Sequence, residues 1–336
     1  MSGFEGAGNA SLLYIVGTDQ PERLKVEGNK FALGGTTDLY KLLGKKQRFH
    51  RLQMTHNYFR HPLRVDLAGY THILNLITEP EDNSRVLDNL RKLVRGHPAR
   101  VVNRPDAVVR STRDQVAKQL AGIAGLQVPR AIRLRGSKPA YAAQLIEKAG
   151  LTFPVILRQV GTHTGKIVGL FNGATEVAAA LEGDGDHIAT EFVDFASADG
   201  LYRKYRFFFI GRRLIFRHML VSDNWNVHAK DRARIMAERP DLIEEEEGLF
   251  ARSDGAFPAQ VHETLHAVRD RMGLDYFGMD FGLMQDGRIL LFEANATMNF
   301  FPFLPDPRFE YVKRCEAPAR RALQELLGLP VERPTE

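Results

Sequence analysis

LDYFGMDFGLMQDGRILLFEANATMN, residues 274 to 299, decides how the rest of the chain is read. Two apolar runs flank Asp286-Gly287, a dipeptide that favours a two-residue β-hairpin turn. That turn sets Gln285 opposite Arg288, and equal steps outward bring Asp280 opposite Glu293. Asn295 follows two residues later and so shares their face. Carboxylates directly across a sheet repel each other unless something positive lies between them, and a metal ion would relieve the conflict. Mg²⁺ takes oxygen ligands, commonly one or two protein carboxylates, and leaves its other positions to water and nucleotide phosphates. Asp280, Glu293 and Asn295 are therefore expected to hold a nucleotide-bound metal. The alternative is a solvated sheet face, against which the apolar run Leu290, Leu291 and Phe292 argues.

A second hairpin lies upstream. YRKYRFFFI and RLIFRHMLV flank Gly211-Arg212, a Gly-X pair suited to a type II′ turn, and equal steps place Arg206 opposite Arg217. Paired guanidiniums imply an anion held between them, a phosphate or carboxylate, or else neutralisation by one of the 41 acidic residues. Further back, the strand FPVILRQ runs into the loop Val160-Gly161-Thr162-His163-Thr164-Gly165-Lys166. Strand, Gly-rich loop and lysine suggest phosphate binding. A P-loop is excluded, because Gly161 and Gly165 enclose three residues, Ile167 follows the lysine, and IVGLF reads as a return strand.

The remaining elements alternate. LLYIVG and YTHILNLI read as strands of an α/β lobe, and DNSRVLDNLRKLVRG as a helix stopped by Gly96. Asn103-Arg104-Pro105 marks a boundary. Thr112 to Gln115 has capping-box spacing, which predicts a helix to Ala124 with Arg113 in its first turn. AIRLRG, PAYAAQLIEKAG, TEVAAALEG and HIATEFVDF follow as strand, helix, helix and strand, the last containing Glu191-Phe192-Val193. The run Glu244 to Glu247 reads as a solvated insertion, His228 as a structural histidine with substrate contact as the lesser reading, and residues 310–327 as a covering helix. Basic and aromatic residues interleave from Lys45 to His61, a solvated face or an anion-binding segment.

At 336 residues and a net charge of +5 the chain can build two or three lobes and suits anionic small molecules, with nucleic acid the weaker reading. The single cysteine, Cys315, excludes an intrachain disulfide, and no apolar run approaches the roughly 20 residues of a membrane span. A cytoplasmic protein with no membrane partner is expected.

In this order the motifs resemble the ATP-grasp superfamily, in particular its glutathione-synthetase-like and ribosomal-protein glutamate-ligase-like branches. The resemblance covers about residues 103–299 and rests on Asn103-Arg104-Pro105-Asp106-Ala107, FPVILRQ, GTHTGK, TEFV, YRFFFIG, and Asp280 with Glu293-Ala294-Asn295. It implies an α/β and α+β fold: an N-terminal α/β lobe (1–104) and two α+β lobes (105–187 and 188–336) clamping ATP. By the same resemblance Glu191, Phe192 and Val193 line adenine, and Arg158, His163, Gly165 and Lys166 serve the phosphates. Arg206 and Arg217 then contact the γ-phosphate or acyl phosphate, and Asp280, Glu293 and Asn295 hold Mg²⁺, with Mn²⁺ an alternative. The sequence departs from the family pattern at Arg158, where lysine is usual, and at Asp114-Gln115, where Asp-Lys is frequent. Arg113 is the neighbouring charge that would compensate, and Ala296-Thr297 stands where Pro-Gly is common. The implied activity is an ADP-forming carboxylate–amine ligase acting on an amino acid, peptide or other small molecule. A phosphotransferase and a non-catalytic nucleotide-binding module are the alternatives, and a homo-oligomer is left open.

Overall fold

The computed structural model describes residues 11–20, 25–27, 30–32, 36–44, 47–60, 65–136, 139–160, 167–181 and 185–331. Strand β1 (Leu12–Thr18) is buried along its whole length, as a parallel strand covered on both faces must be. After the β2 (Lys25–Glu27) and β3 (Lys30–Ala32) pair, β4 (His50–Thr55), β5 (His72–Asn75), helix α1 (Ser84–Leu93) and β6 (Arg100–Val102) complete a parallel sheet of order β4-β1-β5-β6. Lys45, Lys46 and His61 of the basic segment lie outside the described residues.

Asn103 ends this lobe at a positive φ of 54°. Its side chain accepts from Tyr276 N at 2.9 Å and donates to Tyr276 O at 2.7 Å, so the expected boundary is stitched to the central sheet. Helix α2 (Pro105–Val109) starts on Pro105, and α3 (Arg113–Leu120) starts after Thr112 but stops four residues short of the expected Ala124. Thr112 Oγ1 bonds the Asp114 carboxylate at 3.0 Å, and its side chain caps no backbone N–H. Strand β7 (Leu126–Gln127) then joins the central sheet as its edge.

The middle sheet, β10-β9-β11-β8, is antiparallel. It comprises β8 (Ala131–Leu134), helix α4 (Pro139–Ala149), β9 (Val155–Gln159), β10 (Ile167–Phe171), α5 (Ala174–Ala179) and β11 (His187–Glu191). The return strand expected after the Gly-rich loop is β10, while residues 161–166, with His163, Gly165 and Lys166, lie outside the described residues. All five residues of β11 pair with β9, so membership of this sheet extends to Glu191, past the lobe boundary expected at 187.

The central sheet has the order β13-β12-β14-β15-β7. Strands β12 (Tyr202–Ile210) and β13 (Arg213–Ser222) form the expected two-residue hairpin, with Gly211 at φ 56°. Helices α6 (Asp231–Arg234), α7 (Pro240–Leu249) and α8 (Ala259–Met272) follow, the last ended by Gly273 in the left-handed region. The acidic run in α7 is not a solvated face throughout. Glu246 is fully buried, accepts from Arg232 at 2.6 and 2.7 Å, from Tyr311 Oη at 2.6 Å and from Met219 N at 2.9 Å. A buried carboxylate persists because all these donors meet it. Strands β14 (Tyr276–Leu283) and β15 (Ile289–Asn295) form the deciding hairpin, and α9 (Glu316–Leu326), preceded by a 3₁₀ stretch, packs on the sheet as expected.

Both hairpins carry a β-bulge. In β14–β15 the turn is one residue longer than expected: Met284 N bonds Arg288 O and Gly287 N bonds Met284 O, with Gly287 at φ 83°. Leu283 therefore faces Ile289, but Phe292 is an extra residue, and the register recovers so that Asp280 faces Glu293. In β12–β13 the extra residue is Arg217, and Arg206 faces His218 instead of Arg217.

Candidate functional site

Register alone puts four polar residues in one row across the central sheet. His218 of β13 pairs with Arg206 of β12, Arg206 with Asp280 of β14, and Asp280 with Glu293 of β15. Directly paired residues point to the same face, so the row forms one floor. Above it opens a cleft of about 1200 Å³ whose walls come from the N-terminal lobe, the middle sheet and the segment after β15.

The repulsion expected between Asp280 and Glu293 is relieved by protein cations. Arg206 grips Asp280 bidentately, Nε to Oδ1 at 2.6 Å and Nη2 to Oδ2 at 2.7 Å, with Lys204 Nζ 3.8 Å away. Burial alone would push the Asp280 carboxyl up, and Arg206 more than reverses this, so it lies below the usual carboxylate range. Arg113, from the first turn of α3, contacts Glu293 Oε1 at 2.9 Å and donates to Phe292 O, the carbonyl of the bulged residue. Asn295 Nδ2 donates to the same Oε1 at 2.9 Å, while its Oδ1 accepts from Thr297 N and Met298 N. Burial, with Arg113 nearby, pushes the Arg158 guanidinium down to about 9 against the pull of Glu293.

Arg217, displaced from the row by the bulge, serves backbone. Nε donates to Phe300 O at 2.9 Å and Nη2 to Pro302 O at 3.2 Å, and the guanidinium lies 4.2 Å from the Phe303 ring centroid. Burial pushes it down to about 10. Asp38 accepts from Phe300 N and Phe301 N, so residues 300–302 are fixed from both sides. The expected side-by-side arginine pair is thus corrected: Arg206 has a carboxylate and Arg217 two carbonyls. An anion is not needed to hold them together.

At the other end of the cleft Glu191 is also spoken for. Arg130 Nη2 lies 2.7 Å from its Oε1, and Thr152 N and Arg130 N donate to it at 2.6 and 3.2 Å. Burial raises its carboxyl, and these donors bring it below the usual range. Its carboxylate therefore braces β11 against the segment after α4. Phe192 N bonds Pro154 O at 2.9 Å, its ring meets Trp225 edge-on, and Phe192 and Val193 line the cleft. His228 lines it too, with its backbone N–H donating to Asp231 at 2.8 Å.

Residues not singled out in the sequence complete the floor. Lys204 stands two before Arg206, the period that marks a shared strand face, and burial lowers its ammonium despite Asp280. The His218 ring is held neutral by burial and by Arg206 and Arg217, and its buried Nε2 has no hydrogen-bond partner among the described residues. Glu79, after β5, lines the cleft opposite.

Among the described residues no three His, Cys, Asp or Glu side chains cluster as a metal cage. Asp280, Glu293 and Asn295 nonetheless supply hard oxygen donors on adjacent strands. Four cations, Arg113, Arg158, Lys204 and Arg206, stand among these two carboxylates. The set fits Mg²⁺ entering with a polyphosphate, whose negative charge the surplus cations meet, better than a bare ion.

No protein-family model matches the sequence, and no curated protein does. Solved structures do match. The VanG D-Ala:D-Ser ligase of Enterococcus faecalis superposes with a TM-score of 0.56 at 14% identity, over 96% of this chain and 99% of that one. A RiPP-associated ATP-grasp ligase of Chryseobacterium gregarium, solved with ADP and a leader and core peptide, gives 0.53 at 12%, over 95% and 96%. Carboxyaminoimidazole ribonucleotide synthase of Aspergillus clavatus, solved with ATP, gives 0.52 at 13%, over 96% and 78%. The chain has the ATP-grasp fold. Among the described residues no helix is long and apolar enough to cross a membrane.

Proposed function

We propose that the protein is an ATP-dependent, ADP-forming ligase that joins a carboxylate to an amine through an acyl phosphate, the carboxylate coming from an amino acid or peptide. The observation that carries this reading is the surplus of cations over carboxylates around the sheet floor of an ATP-grasp cleft, with Lys204 and Arg206 on the floor, Arg113 from α3 and Arg158 from β9. A triphosphate and an acyl phosphate are both anions, and donors already in place stabilise them without reorganisation. The solved neighbours support the same reading: one is named a D-Ala:D-Ser ligase, one an ATP-grasp ligase in complex with ADP and a leader and core peptide, and one a ribonucleotide synthase complexed with ATP.

In the first step a carboxylate oxygen attacks the γ-phosphorus and ADP leaves. In the second, the amine nitrogen attacks the acyl carbon, phosphate leaves and a proton is lost. Neither step needs a side-chain nucleophile; both need positioning and charge neutralisation. Arg113 and Arg158, joined by His163, Gly165 and Lys166 of the Gly-rich loop, serve the nucleotide phosphates. Phe192 and Val193 line the adenine end, where Glu191 acts through the strand it braces. Arg206 and Lys204 face the transferred group. Arg217 positions the substrate end by fixing the carbonyls of Phe300 and Pro302. Mg²⁺ or Mn²⁺, when bound on Asp280, Glu293 and Asn295, neutralises phosphate charge as a Lewis acid. We assign residues 1–104 to the substrate-bringing lobe, and 105–187 and 188–336 to the clamp, with β11 completing its middle sheet.

The test is an ADP-release screen over amino acids and short peptides, with mass spectrometry of the products. ADP with an amide product supports the ligase. ADP with a phosphorylated hydroxyl product makes the protein a phosphotransferase, and nucleotide binding with no turnover makes it a binding module.

A further inference from the structure

We propose that Glu79 receives the ammonium group of the amine substrate and takes the proton that this amine must lose before it attacks. The inference rests on the ligase reading and deepens its second step.

The backbone beside Glu79 is tied to the reaction floor. Thr78 O accepts from Thr297 Oγ1 at 2.7 Å, and Thr297 N in turn donates to Asn295 Oδ1 at 2.9 Å, two residues beyond Glu293. Glu79 thus lines the same cleft as Glu293, Asn295 and Thr297, from the N-terminal lobe. The floor below it leaves no carboxylate for an ammonium ion, because its two are also the ones assigned to the nucleotide's metal. Both floor carboxylates are committed, Asp280 to Arg206 and Glu293 to Arg113. Glu79 is not: among the described residues it forms no ion pair, and its one hydrogen bond is from Glu81 N at 3.3 Å. Glu81, next on the same turn, is itself taken by Arg133 of β8.

An amine reaches a neutral solution as an ammonium ion, without the lone pair that must attack the acyl carbon. A base in the cleft removes this block: one N–H proton passes to a Glu79 carboxylate oxygen, the freed pair forms the C–N bond, the C–O bond breaks, and the departing phosphate takes the second N–H proton to leave a neutral amide. A general base works best with its pKa near the operating pH. Burial pushes the Glu79 carboxyl up to about 7, with Asp82 and Glu81 of its own turn and Glu293 of β15 adding to the rise and the Glu81 N–H opposing it. Of this group of acids, Glu81 is paired with Arg133 and Glu293 with Arg113, and Arg158 and Arg206 also feel Glu293.

The experiment compares wild type with Glu79→Gln and Glu79→Asp, using ATP, Mg²⁺, the standard amino acids as carboxylates, and two nucleophiles. Hydroxylamine is largely unprotonated at neutral pH and needs no base; ammonium chloride does. Wild type is expected to form hydroxamate and amide. Glu79→Gln should keep most of its hydroxamate formation and lose amide formation by on the order of 10²-fold or more at pH 7, less as the pH rises. Glu79→Asp should recover part of the amide rate and restore its inflection with pH. Equal loss of both products in Glu79→Gln, loss of neither, or a wild type that makes hydroxamate but no amide overturns the role of Glu79. A wild type that makes no hydroxamate from any carboxylate overturns the ligase reading itself, and the inference with it.

Discussion

Asp280→Asn separates two accounts of the sheet floor. If Asp280 and Glu293 repelled each other in the absence of metal, removing one charge would stabilise the protein. The geometry says the reverse. Asp280 is 5% exposed and accepts two hydrogen bonds from Arg206, at 2.6 and 2.7 Å. An asparagine of the same shape keeps one acceptor, turns an N–H donor toward the guanidinium, and leaves that charge without its partner. Breaking a buried ion pair from one side costs about 3–5 kcal/mol. The Arg206 side chain is 25% exposed and Glu293 remains nearby, which favours the lower end, about 3 kcal/mol. Urea denaturation without nucleotide or metal should show it as a midpoint lower by about 1 M, given a slope of roughly 3 kcal/mol/M. Replacing both partners by apolar residues of similar volume should recover most of the loss. The pH dependence has a definite sign. A carboxyl depressed in the folded state contributes stability above its unfolded value, near 4, and loses it as pH falls through the folded value; the gap between wild type and variant should close below about pH 4. A variant as stable as wild type, or more so, at pH 7 refutes the pairing.

Arg217→Ala should leave the Phe300 and Pro302 carbonyls without their donor, lower stability by about 2 kcal/mol, and speed amide exchange at Phe300 and Phe301; Arg217→Lys should recover little, since one ammonium does not match a fork across two carbonyls. Unchanged exchange there would remove Arg217 as the brace of this segment. Gly278→Ala should cost about 1–3 kcal/mol by thermal denaturation, because its Cβ would stand 2.6 Å from Met298 Sδ and 2.7 Å from Met298 Cβ, next to Asn295. Glu79→Gln should be more stable than wild type at pH 8 by roughly 2 kcal/mol and near equal at pH 4, because a carboxyl raised to about 7 forfeits stability as pH rises through that value. Parallel urea midpoints at the two pH values measure this, and a constant difference would contradict it.

The two hairpins and the return strand after the Gly-rich loop were legible because alternation, turn dipeptides and breakers are local signals. The site was legible only where local counting survived. Asp280 does face Glu293, but through two offsetting departures: a longer turn at Asp286-Gly287 and a bulge at Phe292. The same counting failed for Arg206 and Arg217, where a single bulge had no turn to offset it. Neither bulged residue, a phenylalanine and an arginine, has a composition that announces a bulge. Partners distant in the chain were equally invisible. Arg206 meets Asp280, and Glu191 meets Arg130, only because the sheets bring together segments 74 and 61 residues apart. Lys204 was within reach, since its two-residue spacing from Arg206 is the mark of a common face.

The central claim, that this cleft transfers the γ-phosphoryl group of ATP to a carboxylate, is tested most directly by isotope transfer. Amino acids and short peptides labelled with ¹⁸O in the carboxylate are turned over with ATP, Mg²⁺ and hydroxylamine, and the released inorganic phosphate is examined by mass spectrometry. Attack by the carboxylate must carry one of its oxygens into the phosphate, so the account predicts ¹⁸O-labelled phosphate in step with ADP. Phosphate released with ADP but without the label would contradict it.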